Sequence, residues 1–319
     1  MKLSSYQKIA VKKFNKRISN NEIKFEQRNC LCGSTDGENI FTYDRYGLWQ
    51  PTVICKKCGL IFSNPQLSDK DYSDFYSSDE YRLLYSDENY IETSRVRYKD
   101  SNQIFDMMSP FMKTFNLKTV LEFGCGGGWN LIPFYNNGYD VTGYDYSHNL
   151  VKLGSRHGLN LKQGSFQELN DTTKKYDVII LNHVIEHFTD IKNNINSILK
   201  CLEPNGFIYI SVPNIDNFSH GQFQNAHVYY FTPRTFIHYM NELSLQTVEF
   251  DLDESIHMHG VFKISSIDIK NNSKLLLASE YPFMRYKILQ GKIKSKIVLL
   301  LEILRVKEWI KKLIRISKS

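Results

Sequence analysis

Long apolar runs are missing from this chain. No stretch reaches the roughly 18 apolar residues of a membrane-spanning helix, and the opening MKLSSYQKIAVKKFNKRISNN interrupts each short apolar run with Lys, Asn or Ser, so no signal segment is expected. Cysteine is also scarce, at six in 319 residues. Two of these, Cys125 and Cys201, stand alone inside core-type segments, which argues against a disulfide scaffold and for a reducing, cytoplasmic setting. The body of the chain lacks excess positive charge. The formal net charge is +6, but residues 285–319 hold eleven Lys or Arg against two Glu, a net of +9, which leaves the preceding residues at 6 − 9 = −3. A mildly acidic body with a basic tail does not fit a nucleic-acid binder, even one containing zinc. Repeats and low-complexity tracts are absent as well.

What is present is a change of hydrophobic period along the chain. Residues 26–65 are short, Gly-punctuated and cysteine-bearing, whereas 69–116 are Tyr-rich with helical spacing. From 117 to about 212, apolar strands alternate with amphipathic helices: TVLEFG, YDVTGYD, LNLKQG, YDVIILN and FIYISVP are the strands, with helices through GWNLIPFYNNG, SHNLVKLGSRHG and IKNNINSILKCLEPNG. That alternation predicts a Rossmann-like, doubly wound α/β sheet with right-handed crossovers. Thr232 and Pro233 mark a helix start, as cap and first-turn residue. Two later strands, LQTVEFDL and VFKISSIDI, predict an antiparallel edge to the mostly parallel sheet. The division expected is 1–68 for a zinc-binding module, 69–116 for a helical linker and substrate cover, 117–270 for the α/β domain and 271–319 for a basic helical tail.

Three motifs carry chemistry. NHVIEHFTD contains His183, Glu186 and His187 as H-x-x-E-H, which in one group of metalloproteases supplies zinc ligands and a base. A buried strand directly precedes it and Asp190 caps the next helix, so the motif sits in a short connection without the sustained helix a peptidase needs. VLEFGCGGGWN follows a strand and opens a helix, where a Gly-rich turn lets backbone approach a nucleotide. Trp129 replaces the last small residue of the dinucleotide fingerprint, and the pattern is instead Glu122, Gly124, Gly126, Gly128. Cys30, Cys32, Cys55 and Cys58 form C-x-C-G and C-x-x-C-G pairs 22 residues apart, a spacing suited to structural zinc; four buried or disulfide-linked cysteines are the alternative.

The glycine pattern, followed by Asp145 at the end of the second strand, resembles the first motifs of the class I S-adenosylmethionine-dependent methyltransferases, and the likeness continues in order through residue 212. The resemblance implies that Glu122, Gly124, Cys125, Gly126, Gly128, Asp145, Tyr146, Asn182 and His183 line the cofactor, with Ser165 and Phe166 near adenine. CKKCGLIFSNPQLSDKDYSDFYSSDEY is similar to the N-terminal segment of methyltransferases that modify deoxysugars and surface polysaccharides. In that group the cysteine module and its tyrosines, here Tyr76 and Tyr81, cover the substrate. The implied reaction is methylation of a sugar or nucleotide-linked sugar at oxygen or carbon; another small metabolite, such as a quinone or polyketide, is the alternative acceptor. Because ligands of open α/β sheets bind at strand C-terminal ends, His227 and His187 are the candidate bases, Glu186 orients a His or a hydroxyl, and His183 stands beside them. The tail, with apolar residues at helical spacing between Lys and Arg, either lies peripherally on an anionic membrane or packs on a partner or its own domain.

Overall fold

The computed structural model describes residues 3–85, 90–164, 174–252, 257–265 and 280–303. Helix α1 (Ser5–Ser19) precedes a small β-rich unit of β1 (Phe25–Glu26), β2 (Gly37–Tyr43), β3 (Trp49–Cys55), β4 (Ile61–Ser63) and β5 (Gln66–Leu67). Helices α2 (Asp69–Ser77), α3 (Asp79–Tyr85) and α4 (Tyr90–Thr114) lead into β6 (Thr119–Phe123). The chain then alternates through α5 (Ile132–Asn136), β7 (Asp140–Asp145), α6 (His148–Ser155), β8 (Asn160–Gln163), β9 (Tyr176–Asn182), α7 (Ile191–Leu199) and β10 (Leu202–Pro213). It continues with β11 (Tyr229–Tyr230), α8 (Pro233–Glu242), β12 (Leu245–Leu252), β13 (His257–Ile264) and α9 (Glu280–Ile303).

Seven strands form one sheet in the order β12-β13-β10-β9-β6-β7-β8. From β10 to β8 every pairing is parallel, and β13 is antiparallel to both its neighbours. This is the expected α/β fold with its antiparallel edge. Alternation along β9 explains the two covered faces. Val178 and Ile180 cluster with Met108 and Met112 of α4, Phe134 of α5 and Val151 of α6. Ile179 and Leu181 cluster with Ile191, Ile195 and Ile198 of α7 and Phe236 and Met240 of α8. Each such buried aliphatic contributes about 1.5–3 kcal/mol relative to exposure. The caps read from sequence operate: Thr232 Oγ1 accepts from the Thr235 amide at 3.3 Å and Asp190 Oδ1 from the Asn193 amide at 3.1 Å.

Two expectations change. The helix expected through Gly206 stops at Leu199, because Leu202 already pairs with Tyr176 and a register shift between Leu202 and Phe207 absorbs the Pro204–Gly206 turn. The segment between β10 and the helix start at Thr232, for which no strand was expected, also contributes one. Its Tyr229 and Tyr230 form β11 and pair with Phe62 and Ile61 of β4, completing a second sheet in the order β11-β4-β3-β2. The Ser63 amide donates to Val228 O at 2.8 Å and the Asn225 amide to Asp44 Oδ2 at 2.9 Å. The cysteine-bearing unit and the loop at the end of β10 are thereby built into one sheet. Helix α9 covers its back: Met284 and Ile288 pack with Ile40, Ile54, Ile61, Phe223 and Tyr230.

Candidate active site

At the end of β6 the chain turns through Gly124, Gly126 and Gly128, with φ of +64°, +55° and +73°. Side chains rarely adopt this left-handed region, and space is lacking too. A Cβ on Gly124 would lie 2.9 Å from Val184 and one on Gly128 2.7 Å from Leu159. The Gly126 amide donates to Asp145 Oδ2 at 2.8 Å and the Ser147 amide to Oδ1 at 2.7 Å, so the carboxylate at the end of β7 holds the loop and keeps lone-pair capacity for hydroxyls. Beneath the loop Glu122 is fully buried. Asn130 Nδ2 donates to its Oε1 at 2.6 Å, and Oε2, also buried, meets no partner among the described residues. An ammonium group would satisfy that orphan oxygen, and ribose hydroxyls would satisfy Asp145. The site thus fits the S-adenosyl group on the chain's own geometry.

Burial pushes the Glu122 carboxyl up to about 8, with the Asn130 bond opposing. A raised acid pKa means the folded state holds this proton more tightly than the unfolded one. Stability from this group is therefore full below about 4.5 and is lost as pH rises through about 8. Glu122→Gln removes the titration, so without ligand the wild type is expected to lose more melting temperature than the variant between neutral pH and pH ~9. Parallel melting curves for the two proteins would exclude this.

Beyond β9, Asn182 ends the strand and His183 adopts φ +56°, its amide donating to Ser211 O at 3.0 Å. Residues Ile185–His187 make one 3-10 turn, so His183 and His187 share no helical face. His183 Nδ1–H donates to Glu186 Oε1 at 3.3 Å. Burial alone would push the Glu186 carboxyl up; the His183 hydrogen bond, with the imidazoles of His187 and His227 beside it, outweighs burial and holds the group at about 2. His187 Nδ1 lies 2.7 Å from Ala226 O and 2.8 Å from the Tyr76 hydroxyl, which itself donates to Ala226 O at 2.9 Å. A carbonyl only accepts, so Nδ1 of His187 carries the proton and Nε2 keeps the lone pair, 3.9 Å from Glu186 Oε1. The buried His227 ring packs edge-on against His187 at 4.8 Å and 84°, with Gln224 at its Nε2. Donor atoms of Glu186, His187 and His227 lie within 4.8 Å of one another. With Nδ1 of His187 held by Ala226 O, its Nε2 lone pair is left facing the cluster, where it can take up a proton or meet a cation.

The four cysteines converge as their spacing predicts. Cys30 and Cys58 Sγ are 3.4 Å apart and Cys32 and Cys55 Sγ 3.7 Å, and all four sulfurs fall within 4.8 Å of one another. Thiolates at the corners of a tetrahedron with zinc–sulfur bonds of about 2.3 Å stand roughly 3.7–3.8 Å apart, so the donor set fits zinc. Hydrogen bonding among the thiols, with burial, raises Cys30 far above the ordinary thiol range, while bonds from Cys30, Cys32 and Cys58 push Cys55 far below it. Tyr239 of α8 donates its hydroxyl to Cys58 Sγ at 3.1 Å.

Residues 97–249 match the family model described as a methyltransferase domain. These residues are a class I methyltransferase domain. Among curated proteins, the chain is 33% identical over 101 residues to the ubiquinone biosynthesis O-methyltransferase of Rickettsia akari (strain Hartford), covering 30% of this chain and 40% of that one. It is 33% identical over 128 residues to the enzyme of the same name from Pelagibacter ubique (strain HTCC1062), covering 38% and 52%. The chain thus spans about half the length of these relatives or less. Among solved structures it resembles the plantazolicin methyltransferase BpumL in complex with a desmethyl analogue and S-adenosylhomocysteine, at 16% identity, TM-score 0.48 and coverage of 61% and 93%. It also resembles a SAM-dependent methyltransferase from Archaeoglobus fulgidus, at 15% identity, TM-score 0.42 and coverage of 51% and 94%. Strand order, not these overlaps, carries the fold assignment.

Within the methyltransferase domain the glycine loop, Glu122 and Asp145 come together, and Tyr146 follows at the surface. The Cys125 thiol is turned inward, where a Cβ on Gly143 would meet it at 2.7 Å, so its side chain is a core element and only its backbone belongs to the loop. Ser165 and Phe166 lie outside the described residues. Tyr76 joins the histidine cluster, and Tyr81 packs behind it with ring centroids 5.0 Å apart. Sequence reasoning missed Gln224 and His257, whose ring meets that of His183 edge-on at 4.6 Å and 70°. No signal in the sequence marked His257, because only the β10–β13 register, which sets it opposite Pro213, brings it there. Asp145→Ala, which removes the hydroxyl acceptor and the loop's amide anchor, is expected to weaken S-adenosylhomocysteine binding about 10- to 100-fold by calorimetry. Wild-type affinity in that variant would remove Asp145 from the cofactor site.

Proposed function

We propose that the protein is a SAM-dependent methyltransferase that deprotonates a hydroxyl of a small acceptor with His187 and methylates the oxygen. The observation that carries this is the His187 ring, with Nδ1–H donated to Ala226 O and Nε2 turned toward ionised Glu186, in the turn whose Val184 lies against Gly124 of the glycine loop. S-adenosylmethionine, when bound, supplies an electrophilic sulfonium methyl. Glu122, Asp145 and the backbone of Gly124–Gly128 would hold it. As the acceptor oxygen displaces S-adenosylhomocysteine from the methyl carbon, breaking the carbon–sulfur bond, its proton would pass to His187 Nε2, and the Glu186 carboxylate would balance the imidazolium that forms. Tyr76 and Ala226 O keep the ring from rotating away.

For the acceptor, the cysteine module with Tyr76 and Tyr81 over the histidines supports a sugar or nucleotide-linked sugar. The printed names of the Rickettsia and Pelagibacter relatives favour a second reading, a quinone precursor. Incubating the protein with methyl-labelled S-adenosylmethionine and a small-molecule extract of the source cells, then weighing the labelled product, decides between them. A product methylated only at nitrogen would sink the hydroxyl chemistry. Four-sulfur coordination of structural zinc completes the proposal.

The C-terminal helix is read as a peripheral contact with anionic lipid. Among the described residues no helix is long and apolar enough to cross a membrane. Opposite the docked Met284 and Ile288, α9 exposes Phe283, Tyr286, Leu289 and Ile293, each 40–59% open. A helix apolar on both sides needs a second cover. Between Tyr281 and Leu301 there are five Lys or Arg and no acid, and on a helical wheel Arg285 and Lys292 flank one side of the exposed ridge, Lys287 and Lys294 the other. Arg285 is paired with Glu38 and Lys287 with Asp216, so the charge that this apolar ridge offers to an anionic surface rests on Lys292 and Lys294. The protein should co-sediment with phosphatidylserine-containing vesicles, and Leu289→Asp with Ile293→Asp should abolish this; equal recovery on pure phosphatidylcholine, or self-association through this face, overturns the reading.

A further inference from the structure

The buried imidazole of His227 is held by a chain of groups whose hydrogen-bonding capacities leave one arrangement. Arg45, in the turn between β2 and β3, donates from Nη2 to a side-chain amide atom of Gln224 at 2.7 Å. A guanidinium has only donors, so that atom is the amide oxygen. The other amide atom is then NH2, and it lies against Nε2 of His227. An NH2 group can only donate, so Nε2 offers its lone pair, and a neutral ring carries its proton on Nδ1. Burial, with His187 beside it, holds the His227 pKa well below the ordinary imidazole range, which keeps the ring neutral. Nδ1 is buried and has no hydrogen-bond partner among the described residues.

The backbone around it leaves the ring little freedom. His227 O accepts from Gln50 Nε2 at 2.8 Å and Ser63 Oγ at 3.1 Å, and the His227 amide donates to Gln224 O at 2.9 Å. The titratable and charged groups that face it are His187, Glu186, His183 and Arg45. Buried donors without partners are rare in folded proteins, and this one adjoins the ring assigned above as base.

We infer that Gln224, oriented by Arg45, is a positioning residue that fixes His227 in the Nδ1–H tautomer, so that His227 donates a hydrogen bond to an oxygen of the bound acceptor and is not the base. This rests on the methyltransferase reading for the identity of the bound molecule. Titration with S-adenosylhomocysteine tests that reading separately, and the melting curve of each variant reports whether the whole chain, small sheet included, is folded.

The tautomer can be read directly from long-range proton–nitrogen correlation spectra of the full chain labelled with nitrogen-15 histidine, the His227 signals being identified by their loss in His227→Asn. The wild type should show a neutral ring protonated at Nδ1 at neutral pH. Gln224→Glu replaces the amide donor by an acceptor and should move the proton to Nε2 or charge the ring, while Gln224→Met should leave a tautomer mixture. An Nε2–H or charged ring in the wild type, or unchanged spectra in both variants, overturns the inference. His227→Asn retains an amide near the Nδ1 position. Its label transfer into the extract should fall by no more than about tenfold, as for one neutral hydrogen bond; a loss of about a hundredfold or more, the scale of a missing base, also overturns it.

Discussion

Replacing His187 by Gln is expected to lower methyl transfer by roughly two to four orders of magnitude, the contribution of a positioned general base, while S-adenosylhomocysteine affinity stays within about twofold. The separation of the two effects follows from where the groups sit. The proposed cofactor contacts are Glu122 and Asp145 at the ends of β6 and β7, whereas His187 is held from α2 and the loop before β11, by Tyr76 and Ala226. Gln offers no lone pair able to take up a proton near neutral pH, so nothing replaces the base. Glu186→Gln should cost less than His187→Gln. In a triad the carboxylate fixes the tautomer of its histidine, but here Ala226 O already fixes it, and Glu186 acts across 3.9 Å as a charge. Tyr76→Phe should cost less again, because the carbonyl remains. The measurement is label transfer at saturating S-adenosylmethionine. If Tyr76→Phe were as damaging as His187→Gln, the phenol and not the imidazole would be handling the proton.

The order of these effects reflects what a sequence can display. The glycine loop, Glu122 and Asp145 were legible because contiguous residues impose them: left-handed turns need glycine, and a strand-end carboxylate lies where the sheet opens. Strand alternation in YDVIIL announced a strand buried on both faces, and the cysteine spacing announced convergent sulfurs. The arrangement around His187 was not legible, since its partners Tyr76 and Ala226 are 111 and 39 residues away and meet it only after the small sheet has taken in β11. From sequence His227 was the leading base. The amide network around it, with Gln224 and Arg45 separated by 179 residues, points to a donor. His257 was equally hidden, because only the β10–β13 register brings it to His183.

Purified from cells without chelator, the protein is expected to carry one zinc per chain, and removing it should unfold the small sheet. Four cysteines buried this closely cannot all ionise without a counter-charge, and the opposed shifts of Cys30 and Cys55 express that frustration. A divalent cation relieves it, and the free energy it supplies is folding free energy, on the order of 10 kcal/mol for small zinc modules. Cys55→Ser, or chelation, should therefore lower the melting temperature sharply. The loss should not be uniform. Among the described residues β11 pairs only with β4, and the loop before it carries Ala226 and His227, so metal loss should abolish methyl transfer. S-adenosylhomocysteine should still bind, because the glycine loop belongs to the seven-stranded sheet. Tyr239→Phe removes the hydroxyl that donates to Cys58 from α8 and should weaken zinc about 10- to 100-fold, as outer-shell partners do. Elemental analysis, chromophoric chelator competition and calorimetry read the three quantities separately. Tetrahedral sulfur also suits iron, so elemental analysis decides the metal; a chain that folds with no metal, or with paired disulfides, would leave the four cysteines as packing and detach the histidine cluster from any metal control.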